Sequence, residues 1–192
     1  MTETTGWLFD GANLPCLSRA SEDTSKRRHR MALQGSRELE MGRAAEHLVC
    51  ADLLLSGWVT YPTAQGMPYD LVVDVGYRLI RVQVKSTYHP KNPQPKTRIS
   101  PAYFFHTRRA GRGGNRLYRP NEFDAYALVA LDRRLIAYFA VAELPKQYAV
   151  LRVPGAPYGR GPLAVRDFEG ATFERALTIL QQIAAANNLA AA

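Results

Sequence analysis

Apolar residues recur at near-helical spacing over residues 36–56, SRELEMGRAAEHLVCADLLLS, at Met41, Ala44, Ala45, Leu48, Ala51 and Leu55. Ser36 offers a side-chain oxygen to cap the start, and Gly57 can end the run in a left-handed conformation. The pattern predicts an amphipathic helix. Beyond it, apolar and β-branched residues come in short runs between turn formers, which is the signature of strands. Residues 58–61 read as a short strand before Pro62 and the turn-rich TAQGMP. Residues 69–75, YDLVVDV, and 78–84, RLIRVQV, flank Gly76 and Tyr77 and predict a β-hairpin. Residues 87–101 read as a loop, 103–105 as a strand and 108–116 as an open basic loop. A second hairpin joins 124–131 to 135–141, residues 148–153 supply a further strand, and 172–187 read as a closing helix. The order helix, strands, strands, helix predicts an α/β (α+β) protein.

The 192 residues, 46% of them hydrophobic, suffice for one domain with a sizeable core. Residues 1–35 lack periodicity and end in Lys26, Arg27, Arg28, His29 and Arg30. They read as a basic, poorly ordered segment, either a solubilising tail or an arm laid against nucleic acid, and leave 36–192 as the folded domain. No apolar run approaches the roughly 18 residues of a membrane span, and the N-terminus lacks the layout of a signal peptide. Cys16 and Cys50 have neither disulfide-framework nor metal-ligand spacing, which fits a reducing, cytoplasmic setting. With 25 basic against 17 acidic residues the net charge is +8, a balance suited to a polyanionic partner.

The first hairpin carries the candidate chemistry. With its turn centred between Gly76 and Tyr77, Asp70 lies opposite Gln83. Opposed residues share a face with Cβ atoms about 4.5–5.5 Å apart. Lys85, two residues past Gln83, joins that face, while Val82 and Val84 point to the other. A carboxylate, an amide oxygen and an ammonium then stand together. A hard divalent cation takes oxygen ligands, and Asp70, Gln83 and the Val84 carbonyl are candidates. Glu46, delivered from the helix, is a further acid, and Lys85 can orient water or offset charge on a phosphate. Asp74 shares the Asp70 face but lies roughly 13 Å along the strand, so a role at the hairpin end is expected for it. The same residues could equally form a solvated face or cross-strand ion pairs.

The run GRAAEHLVCADLLLSGWVTYP, then YDLVVDVG, then RVQVKS resembles the PD-(D/E)XK nuclease superfamily. The likeness is greatest to the branch of archaeal Holliday-junction resolvases and bacterial intron-encoded homing endonucleases. It implies a restriction-endonuclease-like core, a mixed central sheet flanked by helices. It also implies phosphodiester hydrolysis with Mg²⁺ or Mn²⁺. Carried over residue by residue, the helix acid is Glu46, the strand acid Asp70, and the Q-x-K motif Gln83-Val84-Lys85. That makes Glu46, Asp70, Gln83 and Lys85 the catalytic set, and Asp70, Gln83, Val84 and Glu46 the metal-binding set. Glutamine stands where the commoner pattern has glutamate; it keeps an oxygen ligand and removes one negative charge.

Between Asp74 and Glu122 lie 47 residues without an acid and with 11 Lys or Arg. Arg108, Arg109, Arg112 and Arg116 concentrate in its Gly-rich part, a composition able to follow a phosphate backbone. Tyr88, Tyr103, Phe104 and Tyr118 interleave with the charges, as core residues or as base-stacking platforms. The sequence thus predicts a metal-dependent endonuclease on double-stranded DNA, in homing, phage or junction processing, acting as a homodimer or higher assembly when both strands are cut. The alternative is a catalytically weak DNA-binding module on the same fold.

Overall fold

The computed structural model describes residues 37–91, 101–109, 116–119, 121–156 and 166–191. The expectations for residues 1–35, for the cap at Ser36 and for Arg112 fall outside them.

Helix α1, Arg37–Leu55, ends where Gly57 takes φ +88°. Gly57 N–H donates to the Leu54 carbonyl and Trp58 N–H to the Leu53 carbonyl, at 3.0 and 2.9 Å. This pair of bonds satisfies two carbonyls that the helix itself leaves open. The buried stripe is Ala45, Val49 and Leu53, spaced four apart. Ala44, Ala51 and Leu55, expected on the apolar face, are exposed. The run Leu53-Leu54-Leu55 supports any of three faces by composition, and packing against the sheet selects the one through Leu53.

The strands are β1 Val59–Pro62, β2 Leu71–Asp74, β3 Leu79–Thr87, β4 Ala102–His106, β5 Ala125–Ala130, β6 Leu135–Ala140 and β7 Tyr148–Arg152; helix α2, Phe173–Ala191, follows. Five strands form a mixed sheet in the order β1-β2-β3-β5-β6, parallel between β3 and β5 and antiparallel elsewhere. The mixed central sheet with flanking helices is the expected architecture. β5 is buried at every position, because both its faces are covered. On one face, Ala125, Ala127 and Val129 join Ala45, Val49 and Leu53 of α1 and Phe173, Ala176 and Leu177 of α2. On the other, Tyr126, Leu128 and Ala130 meet a two-stranded sheet of β4 and β7, through Tyr103, Phe105, Ala149 and Leu151. Tyr103 is thus a core residue, its hydroxyl bound to Asp132 at 3.0 Å.

The first hairpin has the anticipated register, with Leu71 opposite Val82 and Asp74 opposite Leu79. Asp74 accepts a 2.8 Å hydrogen bond from Gly76 N–H, and Gly76 has φ +86°. Its carboxylate shapes the turn, as its distance from Asp70 suggested. Among the described residues no helix is long and apolar enough to cross a membrane.

Candidate active site

β3 outruns β2. Their ladder stops at Leu71–Val82, whereas β3 stays paired with β5 as far as Thr87. Past Val82, then, β3 has a strand on one side and, among the described residues, a gap in the sheet on the other. Val82 and Val84 turn their backbone groups toward that gap. Asp70 N–H donates to the Val82 carbonyl at 2.9 Å, and Val84 N–H donates to Asp70 Oδ2 at 2.7 Å. The N–H and C=O of one strand residue point to the same side, so the Val84 carbonyl opens into the gap beside the Asp70 carboxylate.

Gln83 and Lys85 project to the face opposite Val82 and Val84, toward the β4–β7 layer, in register with Tyr126 and Leu128 of β5. Gln83 is buried, with 7% of its surface exposed. Its Nε2 donates to Asp70 Oδ2 and, at 3.2 Å, to the Val84 carbonyl. The nitrogen end of the amide, rather than the oxygen expected from the sequence, therefore lies toward the two acceptors. Two oxygens facing each other across a buried gap attract the positive end of the nearest dipole. Rotation about the last side-chain bond presents Oε1 instead.

Lys85 is half-buried and doubly held. Its Nζ donates to Tyr118 Oη at 2.8 Å and lies 5.0 Å from the centroid of that ring; the Arg108 carbonyl is a further acceptor at 3.4 Å. Burial pulls the ammonium below the ordinary lysine pKa, Asp70 opposes that shift, and Arg109 adds to it. Burial pushes the Asp70 carboxyl up, against the Val84 N–H, the nearby Lys85, the Gln83 amide and Arg109, which all favour its charged form. Glu46, half-buried on α1, is pushed up by burial and then by Asp70, with Arg43 and His47 opposing. Two carboxyls whose charged forms burial disfavours, one of them further disfavoured by the other, form a place where a cation is welcome.

The gap thus gathers Asp70, Gln83, the Val84 carbonyl and Lys85, with Glu46 within electrostatic reach. Among the described residues no three His, Cys, Asp or Glu side chains form a cation cluster. The oxygen groups gathered here are one carboxylate, an amide and a main-chain carbonyl, with a second carboxylate in electrostatic reach, all-oxygen chemistry that suits a hard divalent ion. The bridging position of the Gln83 amide supports the fit, since a positive dipole already sits between Asp70 Oδ2 and Val84 O.

Arg109 and Arg116 are exposed, and their backbones pair in an antiparallel bridge at 2.8 and 3.0 Å. The basic loop therefore has a paired base rather than open flanks. Arg108 contributes its carbonyl to Lys85. Two other cations of the acid-free run, Arg78 and Arg81, are drawn off by Asp124, at 3.6 and 3.0 Å. Sequence reasoning missed Tyr118 as a partner of Lys85, for the two residues lie 33 apart along the chain.

A family model described as PD-(D/E)XK endonuclease matches residues 37–162, about two thirds of the chain. The chain belongs to the PD-(D/E)XK endonuclease family. The matched span holds all of the gap described above. Among solved structures, this endonuclease is similar to a bacterial homing endonuclease, I-Ssp6803I, with a TM-score of 0.55 and 25% identity. That likeness covers 79% of this chain and 97% of the other. No curated protein matches it.

Proposed function

We propose that residues 36–192 form a metal-dependent endonuclease domain that hydrolyses phosphodiester bonds of double-stranded DNA, with Mg²⁺ or Mn²⁺ as cofactor. The observation that carries this reading is the convergence, where β3 outruns β2, of Asp70 Oδ2 and the Val84 carbonyl on the Gln83 amide, with Lys85 on the same face. Asp70, the Val84 carbonyl, Gln83 and Glu46 would hold the cation. When bound, it supplies Lewis acidity toward the scissile phosphate and the attacking water. Lys85 cannot be a ligand, because an ammonium has no lone pair. Its three N–H groups are directed by Tyr118 and the Arg108 carbonyl and leave capacity for a phosphate oxygen. There it offsets the charge that develops as the phosphodiester is attacked.

The resemblance to a bacterial homing endonuclease supports a role in homing, and a homodimer or higher assembly would place two such gaps on opposite strands. The test of the function itself is simple. Supercoiled plasmid incubated with the protein and Mg²⁺ should be nicked or linearised, and EDTA should prevent it. Plasmid bound but left intact across Mg²⁺ and Mn²⁺ would instead describe a DNA-binding module on this fold.

Arg109 and Arg116, exposed on the paired base of the basic loop, are proposed to neutralise DNA phosphates together with Arg108 and Arg112. Replacing Arg109 and Arg116 with alanine should weaken binding to unrelated duplexes alike. The slope of log affinity against log salt should shrink by roughly 0.9 for each phosphate that is no longer neutralised. Fluorescence anisotropy across a salt series measures this; an unchanged slope would make the two arginines a solvated surface.

A further inference from the structure

We propose that Tyr118 is the positioning residue for Lys85, and that it ties the basic loop to the reacting centre; this rests on the assignment of Lys85 above. Lysine carries a long, freely rotating stem, and an ammonium beside a buried carboxylate is drawn to it. Left to itself, Lys85 would settle on Asp70, whose charge it already feels. It would then neutralise the carboxylate that is needed for a cation. Tyr118 offers the alternative. Its hydroxyl accepts from Lys85 Nζ at 2.8 Å, with the nitrogen 5.0 Å from the ring centroid, off the hydroxyl end of the side chain. That hydrogen bond fixes the distance and the direction of the ammonium.

The tyrosine is itself anchored. Its ring meets Phe123 edge-on at 4.8 Å and Tyr126 at 6.4 Å. Tyr126 stands in register with Gln83 on the neighbouring strand, so the anchor is part of the same sheet that carries the gap. The Arg109 guanidinium lies 5.7 Å from the Tyr118 ring, near Lys85. Tyr118 follows Arg116, whose backbone is bridged to Arg109, and Arg108 gives Lys85 its other acceptor. The stretch proposed to grip DNA phosphates is thus the stretch that holds the lysine. A purely structural tyrosine could pack on Phe123 and Tyr126 without aiming its hydroxyl at Lys85.

Tyr118→Phe keeps the ring and its packing and removes only the hydroxyl. At saturating DNA and Mg²⁺, kcat should fall about tenfold, the scale of one hydrogen bond to a charged group. KM, DNA affinity in Ca²⁺ and melting temperature should stay at wild-type values. The effect should also act through the lysine: in a Lys85→Ala background, Tyr118→Phe should cause no further loss of single-turnover rate. A wild-type kcat in Tyr118→Phe, or an equal tenfold loss added on top of Lys85→Ala, would overturn the inference while leaving the active site where it is placed. Wild-type cleavage by Lys85→Ala alone would instead remove the active-site assignment, and the role of Tyr118 with it.

Discussion

Asp70→Asn should abolish metal-dependent cleavage and most divalent-cation affinity, yet leave a metal-free protein at least as stable as the wild type near neutral pH. The variant keeps the shape of the side chain and an oxygen able to accept from Val84 N–H and Gln83 Nε2. What it removes is a charge that the fold holds at a cost. Burial pushes the Asp70 carboxyl pKa above its ordinary value, and Glu46 stands near enough to be pushed up by it. The folded state therefore binds a proton at Asp70 more readily than the unfolded chain does. Ionised Asp70 destabilises the fold at pH above its folded pKa, and the penalty is relieved as pH falls through that value. Asparagine never incurs it. Thermal melts in EDTA should show a melting temperature for Asp70→Asn no lower than wild type at pH 7, with any advantage narrowing toward acid pH. Cleavage should fall by roughly a thousandfold or more, since a bound cation contributes several kcal/mol to the transition state. A marked drop in melting temperature, with metal affinity intact, would mean that Asp70 is a structural carboxylate.

A carboxyl whose charged form burial disfavours is the kind of group that functional sites use. Only some parts of the molecule were legible in the sequence. The hairpin register was, because Gly76-Tyr77 is a two-residue turn between β-branched runs, and the turn fixes which residues oppose each other. From register alone Asp70, Gln83 and Lys85 fall on one face. The extent of β3 past β2 was not legible, and with it the gap that leaves the Val84 carbonyl without a partner on β2. Strand ends depend on what neighbours are present, and no local pattern encodes them. The face of α1 was misread by the same limit: three consecutive leucines fit several stripes, and only the sheet beneath decides among them. Tyr118 lay hidden for a different reason. Its interaction with Lys85 brings together residues 33 apart along the chain, a tertiary contact that composition cannot signal.

The second large effect belongs to Lys85. Its ammonium is hydrogen-bonded in place on the Gln83 face beside the gap, and its geometry is fixed before substrate arrives. A preorganised charge of this kind contributes through the transition state more than through ground-state binding. Lys85→Ala should therefore bind divalent cations as tightly as wild type or more tightly, because a repelling charge beside Asp70 is gone. Its affinity for DNA in Ca²⁺ should change little, since Arg109 and Arg116 remain. Its cleavage rate should fall roughly a hundred- to thousandfold, about 2.7–4 kcal/mol of transition-state stabilisation.

The measurement that bears most directly on the gap between β2 and β3 as the reacting centre pairs two readings on folded Lys85→Ala protein: calorimetric titration with Mn²⁺ and single-turnover cleavage of plasmid in Mg²⁺. Retained cation binding with cleavage lowered a hundredfold or more is the predicted result. Cleavage at the wild-type rate would contradict it.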